Sequence, residues 1–177
     1  SGRKLAYASE REGKWNIFTA ELVRKEDINF PNTTLIEEKP LFKKNDVDRR
    51  SPEFSPDGTE LAYVENREKI MIMDLATGKI RQITDGSQQY STTGGITFSW
   101  SPDSKWFLAK YIAIGGWNNT DIAFVKADGS GEIHNLTESG YTDDNARWAL
   151  DGKAMIWSSD RAGYRSHGSW GAHSDEY

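Results

Sequence analysis

Apolar residues along the chain gather in short runs bounded by Gly, Pro, Asp and Asn, and no stretch holds helical periodicity over three turns. The runs are strand-sized: "KLAYAS" (4–9), "TELAYVE" (59–65), "KIMIMDL" (69–75), "WFLAKYI" (106–112) and "DIAFVK" (121–126). Several are nearly continuous in apolar character, as expected of strands buried on both faces. Polar phrases separate them. In "FSPDG" (54–58), Pro presets φ at the second turn position, Asp can accept from backbone amides, and Gly tolerates the exit geometry. A near copy, "WSPDS", occupies 100–104, and a worn one, "WALDG", occupies 148–152, so the spacings are 46 and 48 residues.

The period extends beyond that phrase. Leu61-Ala62-Tyr63 follows Gly58 at the same distance as Leu5-Ala6-Tyr7 follows Gly2. Phe107-Leu108-Ala109 and Met155-Ile156-Trp157 hold the equivalent places after Ser104 and Gly152. "SEREG" (9–13) recurs as "SDRAG" (159–163), and "RQITDG" (81–86) as "HNLTESG" (134–140). Each unit reads as four strands. In the second they are "PEF", "TELAYVE", "IMIMDL" and "IRQIT"; in the third, "ITFSW", "WFLAKYI", "DIAFVK" and "IHNLT". Such units describe the blades of an all-β, β-propeller segment built from four-stranded antiparallel sheets. A β-sandwich is the alternative, but it gives no reason for a sequence period.

The first unit begins at strand B and the last stops near strand C, at "SDEY". The blades are therefore expected at 1–50 (partial), 51–95, 96–144 and 145–177 (partial). The stretch 24–40, "RKEDINFPNTTLIEEKP", reads as a decorated C–D connection with Pro31 and Pro40 as breakers. A closed propeller takes at least four blades, so the whole of 1–177 is expected to be a piece of a larger one. Its open sheets would be covered by the remaining blades of the parent chain or by a second copy. Ser1 leads straight into strand-like sequence, which places the start of the numbering after a processed segment or inside a longer protein.

Charge and composition narrow the partners. Lys plus Arg is 22 against 27 Asp plus Glu, a net charge of −5 with no long block of one sign. This argues against nucleic acid, which needs clustered cations, and no apolar run is long enough to span a membrane. The absence of Cys removes disulfides and thiol chemistry but leaves the compartment open. Seven each of Trp, Tyr and Phe suit pleated, half-buried surfaces.

Candidate chemistry is sparse. Of three His, His134 reads as a solvent-facing strand residue. His167 and His173, with Asp175 and Glu176, lack the tight ligand pairs of a metal site, so no metal or other cofactor is expected. Ser166 and Ser169 lie near His167, but no "GxSxG" turn is present, and "GSGE" (129–132) is a hairpin turn rather than a phosphate loop. Asp143 and Asp144 are adjacent, read as lying in a loop, and point apart, unlike an acid/base pair spanning a substrate. Asp57, Asp103 and Asp151 recur with the turn, and a turn is needed in every blade whereas a catalyst is needed once. The sequons at Asn32, Asn118 and Asn135 matter only in a eukaryotic secretory setting.

One asymmetry points to binding. Apart from the first-unit insert, the A–B and C–D turns are tight, whereas the opposite end carries 88–95, 113–120, 140–145 and 160–174, rich in Tyr, Trp, Asn and Gly. The candidate ligand or partner contacts there are Tyr90, Trp117, Tyr141, Asp143, Tyr164, Arg165, His167 and Trp170. Plain solvated connectors are the competing reading.

The run "FSPDGTELAYVE…IMIMDLATGKIRQITDG" resembles the TolB-type, WD40-like propeller repeat, and the resemblance extends over almost the whole chain. It is specific for fold and uninformative for activity, since such repeats occur in TolB, prolyl-oligopeptidase relatives, polysaccharide lyases and tricorn-type peptidases. The final stretch, "WSSDRAGYRSHGSWGAHSDEY" (157–177), resembles the closing propeller blade of bacterial tricorn-like serine peptidases. Tricorn-type proteins place propellers ahead of PDZ and catalytic domains. The resemblance thus implies a non-catalytic propeller that binds or gates polypeptide, with the hydrolase's nucleophile downstream of Tyr177 and an exported, periplasmic location. Two alternatives remain open: a TolB-like protein-binding module of the cell envelope, and a propeller hydrolase or lyase with a site in the channel mouth.

Overall fold

Each apolar run becomes a strand, and each tight polar phrase turns the chain back antiparallel to it. The computed structural model describes residues 2–44, 46–87, 95–113, 119–163 and 175–177. Among them are four separate sheets that share no strand. The first comprises β1 (Lys4–Ser9), β2 (Asn16–Leu22) and β3 (Ile36–Pro40); the second, β4 (Arg49–Phe54), β5 (Glu60–Glu65), β6 (Lys69–Asp74) and β7 (Ile80–Gln82). The third holds β8 (Phe98–Trp100), β9 (Trp106–Tyr111), β10 (Asp121–Lys126) and β11 (Ile133–Asn135). The fourth holds β12 (Asp143–Ala149), β13 (Ala154–Ser159) and β14 (Asp175–Glu176). Spatial order follows chain order in every sheet, the up-and-down pattern of propeller blades.

The tight turns work as their residues dictate. The Gly58 N–H donates to the Ser55 carbonyl at 2.8 Å, and Asp57 Oδ1 accepts from the Thr59 amide at 2.9 Å. Ser101, Asp103 and Lys105 repeat this pattern one sheet later, with Ser104 at φ 60° standing where Gly58 has φ 75°. The worn copy has lost Ser and Pro and folds differently: Leu150–Gly152 forms a 3-10 turn with Leu150 and Asp151 at φ 50° and 54°.

Two expectations are corrected. The first-sheet insert is shorter than 24–40, because its last residues form β3, paired with β2 from Leu22↔Ile36 to Phe18↔Pro40. Ile36–Pro40 is exposed throughout, so this outer strand needed no apolar alternation, and Pro40 sits at its end. Likewise Asp143 and Asp144 open β12 rather than lying in a loop.

Burial is nearly continuous along the central strands, and alternate residues face different neighbours. Leu61 and Tyr63 of β5 pack towards the first sheet with Ile17, Phe42 and Met73. Ala62 and Val64 turn the other way, joining Ile70 and Ile72 against Trp100, Phe107, Ala109, Ala123 and Val125 of the third sheet. Trp100, 4% exposed, ends the first strand of its sheet, and its indole N–H donates to the Glu53 carbonyl of the preceding sheet at 3.2 Å. Trp148 repeats the contact one sheet on, donating to the Ser99 carbonyl at 3.4 Å while its ring stacks on Phe124. The turns also touch across sheets. The Asp57 N–H donates to Ser104 Oγ at 3.2 Å, and a Cβ on Gly152 would lie 3.1 Å from the Pro102 ring.

Trp100→Ala should cost about 3–5 kcal/mol in denaturant melts, from lost burial and the cavity left behind. Trp100→Phe, which installs the residue type found at Phe54, should cost only about 1–2 kcal/mol, mainly the indole bond and a smaller void.

Acid should weaken the turns. Hydrogen bonds from Ser55 and Thr59 hold the Asp57 carboxyl below its ordinary 3.8, and a bond from Ser101, aided by the Lys105 amide, does the same for Asp103. A carboxyl depressed in the folded state adds stability above its unfolded pKa and loses it as pH falls towards the folded one. Melting temperature should therefore drop as pH falls below 3.8, and the double variant Asp57→Asn, Asp103→Asn should drop less over the same range.

Candidate functional site

The long-loop end is organised around one carboxylate. Asp143, fully buried at the start of β12, accepts from Ser139 Oγ at 2.6 Å, Trp157 Nε1 at 3.3 Å and the Arg161 guanidinium at 3.3 and 3.4 Å. Its backbone is clamped to Thr120: the Asp143 N–H donates to the Thr120 carbonyl and Thr120 Oγ1 to the Asp143 carbonyl, both at 2.7 Å. Burial pushes the Asp143 carboxyl up, but hydrogen bonds from Ser139, Ser159, Thr137 and Arg161 outweigh it and hold the group below 3.8. Asp121 organises the neighbouring turn, accepting from Asn135 Nδ2, Thr137 Oγ1 and the Ser139 N–H. This corner ties the third sheet to the fourth.

Of the sequence-derived contact residues, Tyr141 and Asp143 fall here. Tyr141 is exposed at the corner, whereas Asp143 is wholly occupied by its own chain, so it acts by positioning the loop rather than by touching a ligand. Tyr90, Trp117, Tyr164, Arg165, His167 and Trp170 lie outside the described residues. His134 is exposed on β11 and bonds to Glu132 at 2.9 Å. Asp143 and Asp144 do diverge: Asp144 turns to Lys110, at 3.1 Å, and accepts from Thr97 Oγ1.

The sequence reading missed a second concave surface. The first strands of three successive sheets converge on a trough of about 280 Å³ lined by Glu53, Ser99, Lys110 and Arg147. It adjoins a hollow of about 250 Å³ beside Ser51 and Pro52, with Glu53, Thr97 and Phe98 common to both. Bulges shape it. β4 shifts register between Arg50 and Glu53, and β12 between Asp144 and Arg147, each with a residue in the left-handed region, Ser51 at φ 51° and Asn145 at φ 56°. A bulge bends an edge strand and re-aims its side chains. Glu53, Ser99 and Arg147 each stand one residue ahead of the strand-A aromatic, so the trough presents carboxylate, hydroxyl and guanidinium in turn. Burial pushes the Glu53 carboxyl up, with partial relief from the Trp100 N–H at 3.4 Å. Arg147 is exposed and makes no ion pair among the described residues. The available signal was positional: "EF", "SW" and "RW" fill one place in three units.

No protein-family model matches the sequence. Solved structures share its fold. A putative TolB from Agrobacterium tumefaciens aligns with a TM-score of 0.60 at 22% identity, over 89% of this chain and 50% of its own length. The tricorn protease aligns at 0.63 and 16% identity, over 99% of this chain and 16% of its own. A prolyl endopeptidase aligns at 0.58 and 17% identity, over 89% and 25%. The chain thus spans half or less of each, and what it shares with them is the propeller fold.

Asp143→Ala should cost about 3 kcal/mol in chemical denaturation, since it leaves Arg161 Nη2, the Ser139 hydroxyl and the Trp157 indole N–H without this acceptor. Arg161→Met should cost less, because that side chain is 32% exposed and the serine and indole donors stay with the carboxylate.

Proposed function

We propose that this chain is a non-catalytic β-propeller segment that binds or gates polypeptide on behalf of a serine peptidase whose catalytic domain lies downstream in the same protein. The observation that carries the reading is a propeller fold shared with two peptidases, the tricorn protease and a prolyl endopeptidase. The tricorn-like stretch at 157–177 supports it from the sequence side. Both surfaces described above suit an extended chain. The trough crosses three strands and offers charges of both signs, and the long-loop end presents Tyr141, a large contact area on few rotatable bonds. The remaining blades of the parent, or a second copy, would cover the outer sheets of this segment. An exported, periplasmic setting goes with the reading; among the described residues no helix is long and apolar enough to cross a membrane.

The likeness to the putative TolB favours a second reading, a protein-docking module of the cell envelope with no peptidase attached.

A fluorogenic peptide library separates the two. Residues 1–177 alone should show no turnover, whereas the parent should cleave peptides and stop when treated with a serine-directed inhibitor. A parent without activity would favour the docking module. Inhibitor-sensitive turnover by 1–177 that disappears in His167→Ala would place the active site within 160–174 and overturn both. On the binding side, Tyr141→Ala should weaken capture of a bound peptide by about 2 kcal/mol if Tyr141 is a true anchor.

A further inference from the structure

Aromatic faces in this protein are repeatedly roofed by its own arginines, each of which also meets a carboxylate. The Arg11 guanidinium lies 3.7 Å from the Phe18 ring centre and pairs with Glu38. Arg49 sits 4.2 Å over Phe42 beside Glu65, and Arg50 sits 4.3 Å over Trp15 beside Asp48. Arg161 lies 5.4 Å from Trp157 and 5.0 Å from Tyr177 while holding Asp143. A guanidinium is planar and weakly hydrated, so it can stack on a ring and still fork onto a carboxylate in its own plane.

One aromatic cluster has the rings and the carboxylates but no arginine among the described residues. Between the third and fourth sheets, at the tight-turn end, a groove of about 430 Å³ is walled by Trp106, Phe124, Trp148 and His134, with Asp103 and Asp151 also lining it. Its rings form a ladder: Trp106 to His134 at 6.1 Å, Trp106 to Phe124 at 5.9 Å and Phe124 to Trp148 at 5.4 Å. The three large rings are only partly buried. Asp151 is exposed and makes no hydrogen bond or ion pair among the described residues. The bonds to Asp103 from Ser101 and Lys105 both fall on Oδ1, which leaves Oδ2 for another donor. Two cations stand nearby and line the adjoining hollow rather than the groove. Lys126 pairs with Glu132 and Asp128 and brings its Nζ to 5.6 Å from the Trp106 ring centre. Arg81 forks onto Glu60 and donates through Nε to the Ala127 carbonyl, so it is Phe124 and Trp148 that carry no cation among the described residues.

We propose that this groove receives an arginine side chain from a polypeptide partner, its guanidinium stacked against Trp106, Phe124 and Trp148 and either forked onto Asp151 or donating to the free Oδ2 of Asp103. Charge complementarity commits the occupant: aromatic faces carry negative potential, and the groove's two carboxylates add to it. The surface lies at the opposite end of the sheets from Tyr141, and the assignment holds whether or not a peptidase domain follows.

The test uses a blocked, otherwise neutral heptapeptide with one central arginine, its citrulline isostere and its lysine analogue. They are titrated into the full chain, with binding followed by calorimetry and by fluorine resonances from labelled tryptophan and tyrosine. The arginine peptide should shift Trp106 and Trp148, and citrulline should bind at least about tenfold more weakly, since it keeps the shape and loses the charge. Asp151→Asn, which suits the same left-handed backbone, should weaken arginine binding about threefold to fivefold at low salt. Phe124→Leu should weaken it further while the melting temperature reports whether the fold is kept. Equal affinity for arginine and citrulline peptides would overturn the proposal, and a lysine peptide binding as tightly as arginine would remove the guanidinium assignment. Shifts confined to Tyr141, with Trp106 and Trp148 still, would overturn it while leaving the long-loop reading intact.

Discussion

The indole-to-carbonyl bond between neighbouring sheets is the contact on which the rest of this architecture depends. Among the described residues no strand ladder crosses from one sheet to the next. Single backbone bonds such as Asp143 N–H to the Thr120 carbonyl tie the sheets at the long-loop end, and elsewhere apolar faces alone would leave them free to slide against one another. Hydrophobic burial is non-directional, whereas a buried N–H must find its acceptor or lose free energy. Trp100 to the Glu53 carbonyl and Trp148 to the Ser99 carbonyl therefore fix the offset of the third sheet on the second and of the fourth on the third. Asp57 and Ser104 do so again at the turn end. With the offset fixed, equivalent residues of successive first strands must line up, and the trough follows from that alignment.

What the sequence made legible was everything repeated in it. The turn phrase, the apolar triplet and the strand order each appear several times, and a pattern forced by local geometry can be read wherever it recurs. What escaped was single. β3 is held by backbone bonds to β2 and exposes all its side chains, so "IEEKP" carries no alternation to reveal it. The bulges at Ser51 and Asn145 depend on left-handed backbone at residues other than Gly, which composition does not signal. Arg161 stood in a recurring phrase, yet its pairing with Asp143 joins the two ends of a corner 18 residues apart. The tight-turn groove was overlooked for a related reason: Trp106 and Phe124 read as core residues of their strands, and only the stacking of two sheets shows that one face of each stays open.

Scaffold and chemistry share residues here without competing. The position ahead of each strand-A aromatic contributes its carbonyl to the next sheet's indole, as Glu53 and Ser99 do, so its backbone is committed. Its side chain is not. That freedom lets one place in the repeat hold Glu53, Ser99 and Arg147 in turn and makes a trough that is chemically uneven although its frame is regular. The turn aspartates show the opposite arrangement. Asp57 and Asp103 spend their carboxylates on backbone amides and hydroxyls, whereas Asp151, in the copy that lost Ser and Pro, is released from that duty. A degraded repeat is therefore where a structural carboxylate becomes available for binding.

The same logic bears on charge. Asp151 is exposed and solvated, and makes no ion pair among the described residues. Glu53 is different: burial pushes it towards the neutral acid, with only one amide in partial compensation. Elsewhere, buried or partly buried carboxylates such as Glu60, Glu65 and Asp143 meet an arginine, so a buried or partly buried acid without one is a departure from how this chain otherwise disposes of charge. Departures of that kind cost stability and tend to sit where a ligand supplies what is missing. With a net charge of −5, the whole surface would draw a basic segment in, and the uncompensated acids mark where it could settle. Long-range attraction and local vacancy then favour the same partner, a polypeptide carrying arginine.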